Sequence, residues 1–251
     1  MLIENLLAGG ELEATTRARI ADTSQGNPLF VEEMLAMVRE GGRDGDIHVP
    51  PTIYALLQAR LDTLDSDERL VIERGSVEGE IFHRGSVAVL APEPVRPTLE
   101  SHLSTLVRKE LIRPDRGTFP DDEAFRFRHL LIRDAAYESL PKAMRAELHE
   151  QFADWLGQHD LVERDEILGY HLEQAHRYRA ELDPGDGRLP ELAGRAAELL
   201  TSAGNGAMDR GDWAAARSLL RPCPSALAGR GRAPRASGAR AGDRPARGRG
   251  Q

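Results

Sequence analysis

A single cysteine in 251 residues excludes a disulfide framework and a cysteine-based zinc site. Aromatic side chains are scarce, at 5%, and residues 221–251 contain none, so that segment cannot stack on a nucleic-acid base. Long apolar runs are also missing. Stretches such as Val87-Ala88-Val89-Leu90-Ala91 fall far short of the roughly 20 residues that cross a bilayer as a helix. Met1 is followed by Leu-Ile-Glu-Asn-Leu-Leu, without the basic start of a secretory signal. The expectation is a water-soluble, cytoplasmic protein with enough chain to bury a core.

The net charge of −8 conceals a division along the chain. Residues 221–251 hold eight arginines and one acid, Asp243, a surplus of +7 that leaves −15 on residues 1–220. That basic segment is almost wholly Ala, Arg, Gly and Pro, too poor in apolar surface to offset the entropy of ordering, so it reads as a disordered tail. Its abrupt onset after Leu219-Leu220 favours GC-rich DNA read out of frame over passive disorder or an anion-binding arm. Cys223 lies within it and receives no chemical role.

The body reads as mainly α. Residues 2–7 and 15–21 suggest two short helices. Asn27 and Pro28 suit a helix start, followed by an apolar stripe of Phe30, Val31, Met34, Leu35 and Val38 up to Gly41-Gly42. Glu32 and Glu33 are assigned to the positive end of that helix. After a polar loop over 43–48, Ile53, Leu56, Leu57, Leu61 and Leu64 share one helical face. Ser66 reads as the N-cap of a helix over 67–77, and Arg84–Leu90 as a shorter one. One longer helix is expected over Val95–Glu110. Leu111-Ile112-Arg113 and the alternating Ala124-Phe125-Arg126-Phe127-Arg128 then read as a hairpin that must lie against those helices. Beyond Pro141 the pattern is helical throughout, with segments 164–182, 189–210 and 213–220. Small residues line the segment 189–210, and Gly211-Asp212 forms a turn of the kind found in helical-pair repeats. A lone repeat of this type would lack a neighbour for its apolar face.

Three blocks occur in order: Gly26-Asn27-Pro28-Leu29-Phe30-Val31-Glu32-Glu33, then Val49-Pro50-Pro51-Thr52-Ile53, then Phe125-Arg126-Phe127-Arg128-His129 running on to Tyr137. Over residues 2–220 the chain resembles the post-ATPase half of bacterial STAND-class signalling ATPases, the AAA-like regulators fused to adenylate or guanylate cyclase or LuxR-type domains. The resemblance implies a helical lid over 1–64, a winged helix with a small β-hairpin over 65–140, and tetratricopeptide-like helices over 141–220, before the tail 221–251. It also implies that Pro28 lies against an adenine and that His129 reaches a bound diphosphate, with Arg126, Arg128 and Arg133 nearby. Pro28 equally suits the plain role of first helical residue, and His129 that of a local cap. The three arginines could equally pair with the abundant acids.

Catalytic signatures are lacking. No Gly-x-x-x-x-Gly-Lys-Ser/Thr loop occurs, so nothing cradles phosphates or holds Mg²⁺ in that manner. The chain is expected to be a non-catalytic regulatory portion: ATP or ADP with Mg belongs to the parent family, and this chain alone carries no cofactor. His149-Glu150 begins like a zincin, but position 153 is Ala. His171 and His176, five residues apart, point to different faces and read as structural or exposed. No Gly-x-Ser-x-Gly elbow is present. Expected partners are an upstream ATPase core or other proteins docking on the repeats, with no membrane. A DNA-binding winged-helix regulator is the alternative, with Val95–Glu110 as recognition helix. Against it, Arg96, His102, Arg108 and Lys109 are countered by Glu93, Glu100 and Glu110.

Overall fold

Asn27 and Pro28 open the first helix as their chemistry dictates. Pro28 needs no hydrogen-bonded N–H there, and the Asn27 side chain accepts from Leu29 N at 3.1 Å. The computed structural model of the chain describes residue 24 and residues 27–41, 52–119, 122–159, 161 and 163–220. The expected helices at 2–7 and 15–21, the loop 43–48, the Val49-Pro50-Pro51 step, the side chain of Val38 and the tail 221–251 lie outside the described residues.

Helix α1 (Pro28–Gly41) packs on α2 (Ile53–Asp62) through Phe30, Val31, Met34, Leu35 and Leu56. Helix α3 (Ser66–Glu78) begins one residue earlier than its sequence suggests. Asp65, not Ser66, is the N-cap: its carboxylate accepts from Asp67 N and Glu68 N, and Glu68 reaches back to Asp65 N. Strand β1 (Ile81–His83) follows, then α4 (Arg84–Leu90). The single helix expected over Val95–Glu110 is instead a 3₁₀ turn at Glu93–Thr98 followed by α5 (Leu99–Arg108). Pro97 supplies the reason, since it has no N–H to give a continuous α-helical ladder.

Strands β2 (Ile112–Asp115) and β3 (Ala124–Phe127) pair antiparallel, with Ile112 opposite Phe127. Strand β1 adds on the other side of β3, giving the order β1-β3-β2. The short hairpin is therefore stabilised by a third strand and by packing. Phe82, Ile112 and Phe127 enter one core with Leu61, Val71, Leu103, Leu106 and Ile132. Helix α6 (Leu130–Ser139) continues directly from the sheet.

The remaining helices stack in sequence order: α7 (Lys142–Leu156), α8 (Arg164–Leu182), α9 (Leu189–Asp209) and α10 (Trp213–Leu219). Gly211 ends α9 in the left-handed region (φ 76°), and Asp212 then caps α10 by accepting from Ala215 N at 3.0 Å. The repeat is not left without a neighbour. Val77 of α3 and Leu90 of α4 join Leu148, Phe152, Trp155, Leu172 and Leu192 in a single buried cluster. The preceding lobe covers the near face of the stack. Among the described residues the fold is mainly helical with one small sheet, and no helix is long and apolar enough to cross a membrane.

Candidate functional site

Helix α1, Arg60 of α2, Glu110 two residues past α5 and the junction between β3 and α6 converge on a cavity of about 160 Å³. Its lining includes Glu32, Glu33, Arg60, Glu110, Arg128 and His129. His129 is the N-cap residue of α6 in extended conformation (φ −139°, ψ 144°), and its side chain makes no capping hydrogen bond. The ring turns instead toward α1: Nε2 lies 3.4 Å from Glu32 Oε2 and 3.9 Å from Glu33 Oε1. The contact becomes an ion pair when the imidazole is protonated. Pro28 occupies the first position of α1, one helical turn before Glu32, and is exposed. The structure thus brings His129 to the helix that Pro28 opens.

The assignment of Glu32 and Glu33 to the helix end is corrected. No acid lies in the first turn of α1; both glutamates belong to the second, beyond the reach of the exposed N–H groups. Glu33 instead forms a buried ion pair with Arg60 of α2, the two side chains being 3% and 1% exposed. The Arg60 guanidinium also donates to the carbonyl of Lys109 at 2.6 Å, tying α2 to the end of α5. Glu110 follows in the left-handed region (φ 54°), with Leu111 N bonding back to Leu106 O at 3.1 Å. A non-glycine residue in that conformation costs about 1–2 kcal/mol. Backbone strain therefore sits on the wall of this cavity.

The three candidate arginines separate. Arg126 is held by Asp115 and Glu80, and those hydrogen bonds raise its pKa. Arg133 donates to Ser76 O at 2.9 Å and lies over the Tyr137 ring. Arg128 alone of the three lines the cavity; it is exposed and has no ion pair among the described residues. On the 3₁₀ turn and α5, Arg96 is used on the carbonyls of Ala91 and Val89, and Lys109 pairs with Glu68 at 2.6 Å. Those two cations are engaged by contacts within the chain.

Glu150 pairs with Arg179, and His149 is buried against His171 at 2.8 Å, so the incomplete zincin motif gathers no metal ligands. No group of three or more His, Cys, Asp or Glu is placed to hold a metal ion among the described residues. His171 and His176 are both buried, which removes the exposed alternative for either. The Arg60–Glu33 pair was invisible from spacing, its members lying 27 residues apart. The one available signal was that Glu33 falls within the arc of Phe30, Met34 and Met37.

No family model matches the chain, and no curated protein matches it in sequence. Among solved structures, a STAND protein with a tetratricopeptide repeat sensor from Pyrococcus horikoshii aligns at 14% identity with a TM-score of 0.43. The alignment covers 87% of this chain and 34% of that protein, so the chain spans about a third of its length.

Proposed function

We propose that the chain is a non-catalytic regulatory module of a nucleotide-switch signalling ATPase of the STAND class. In this reading α1 and α2 belong to a lid and residues 65–140 form a winged helix. Helices α7–α10 are a tetratricopeptide-like platform that passes nucleotide state to a partner or output domain. The order helix, strand, two helices, hairpin supports the winged-helix assignment. The observation that carries the proposal is the meeting of His129 with Glu32 and Glu33 on the helix opened by Pro28. Two segments singled out by the family resemblance, about 100 residues apart, close on one cavity.

That cavity does not fit a nucleotide as it stands. Its volume of about 160 Å³ is below the ~300–1,000 Å³ of small-molecule sites, and with Glu33 paired to Arg60 its lining leaves Glu32 and Glu110 against Arg128 rather than a cluster of cations for phosphates. His129 is proposed as a latch residue that holds the lid to the winged helix through the acidic pair. ATP or ADP with Mg would have to be held by a separate ATPase core. Purified chain incubated with ATP and Mg²⁺ is expected to release no phosphate above the buffer rate; turnover by the chain itself would sink the proposal. Joined to a STAND ATPase core, His129→Ala should shorten ADP retention in a filter-binding assay. Unchanged retention would remove the role given to His129. The commitment of Arg96 and Lys109 to internal contacts supports this reading over duplex DNA binding.

A further inference from the structure

A second and larger cavity, of about 880 Å³, lies between β1, the β2–β3 connection and the stacked helices α7–α10. Its volume falls within the ~300–1,000 Å³ range of small-molecule sites. The walls are largely apolar and aromatic, with Phe119 from the β2–β3 connection, Phe152 from α7 and Leu200 from α9. The charged groups that line it are Glu78, Glu166 and Glu173, and no Lys or Arg does so among the described residues.

Two imidazoles, His83 and His171, also face this space. His83 Nδ1 lies 2.5 Å from Glu78 Oε1, while its Nε2 accepts from Thr118 N at 3.0 Å. His171 stands at the end of a buried relay. The Tyr137 hydroxyl donates to Tyr178 at 3.0 Å, and its oxygen therefore accepts from His149 Nε2 at 2.7 Å. His149 Nδ1 is then left to accept from His171 Nδ1 at 2.8 Å. This directionality leaves His171 Nε2 as an acceptor. Burial supports the neutral forms: it drives His149 down to about 3 and His171 well below the ordinary imidazole value. The cavity wall thus offers carboxylates, hydrogen-bond acceptance and aromatic faces, with no lysine or arginine among the described lining residues.

We propose that this cavity binds an amphipathic organic cation, an aromatic body bearing a protonated amine. The apolar body would seat on Phe119, Phe152 and Leu200. The ammonium would be drawn to the acidic wall that carries Glu166, where cation–π attraction and a carboxylate act together. Phosphorylated or carboxylated ligands meet three carboxylates and no lining lysine or arginine among the described residues to offset their desolvation. The site is separate from the Glu32–His129 cavity and stands whether or not the nucleotide-switch reading holds.

Dansylcadaverine, an aromatic primary amine whose emission rises on leaving water, tests this in the full chain, with the carboxylate dansylglycine as its matched anion. Dansylcadaverine should bind at least about tenfold more tightly than dansylglycine. Glu166, an exposed residue, can be changed to Gln with little effect on folding; the change should narrow that preference by roughly threefold or more. Ser218 is exposed at the edge of the cavity, and Ser218→Trp should weaken the amine about tenfold by filling space. Equal affinity for the two probes, no binding up to millimolar concentration, or affinity unmoved by both substitutions would overturn the proposal.

Discussion

Glu33 and Arg60 are oppositely charged side chains taken almost wholly out of water, one on the apolar arc of α1 and the other on that of α2. Such a pair gives little net stability over an apolar pair of similar volume, yet a lone survivor is costly, by about 3–5 kcal/mol. Glu33→Leu and Arg60→Met should therefore each destabilise the chain by about that amount in urea unfolding. The double variant should recover most of the loss; a double variant as unstable as the sum of the singles would contradict this account. Sequence could show that Glu33 sat among core residues, but not what neutralised it. Local spacing reports which face a residue occupies, whereas its partner depends on how two helices are docked.

Elements whose ends are set by residues within one turn were legible. Arg84–Leu90 and Arg164–Leu182 have the bounds their patterns suggest, the first stopped at Ala91-Pro92 and the second at Asp183-Pro184-Gly185. Strand β1 was missed because three residues carry no alternation; it exists through its pairing with β3, more than 40 residues away. The small residues of α9 correctly signalled close helix packing, though not which neighbour approaches. Two neighbours approach: a Cβ placed on Gly204 of α9 would lie 2.6 Å from Leu220 Cγ, and one placed on Gly169 of α8 would lie 2.7 Å from Leu200 Cγ. Gly169→Leu should force α8 from α9 and cost about 1–3 kcal/mol in thermal unfolding, despite its better helix propensity. Leu200→Ala in the same chain should restore part of the loss, and no rescue would mean the contact is not what excludes a side chain there.

Across the whole molecule, acid should act through the buried imidazoles. His149 and His171 have folded pKa values below the unfolded value of about 6.5, so the unfolded chain binds more protons as pH falls. Their contribution is fully present above pH ~6.5 and is lost as pH drops toward the folded value of about 3 for His149. His149 should cost roughly 1.4 kcal/mol per pH unit in that window, or about 2 kcal/mol by pH 5, and His171 acts in the same direction. Urea midpoints at pH 7.5 and pH 5 measure this, and His171→Phe should flatten the slope even if it lowers the baseline; an unchanged slope would show that the ring is not buried neutral. The same two rings, read from sequence as the start of an incomplete zincin motif and as a structural or exposed histidine, prove to anchor the relay behind the larger cavity. By itself the sequence determined the helical class, most element ends and the lack of a phosphate-cradling loop, because caps, breakers and apolar periods act over a few residues. Only the tertiary structure decided that Glu33 meets Arg60, that His129 faces Glu32, and that Glu78, Glu166 and Glu173 line one large cavity. Those outcomes depend on packing between segments tens of residues apart, where the free energy of docking, rather than local preference, selects the neighbours.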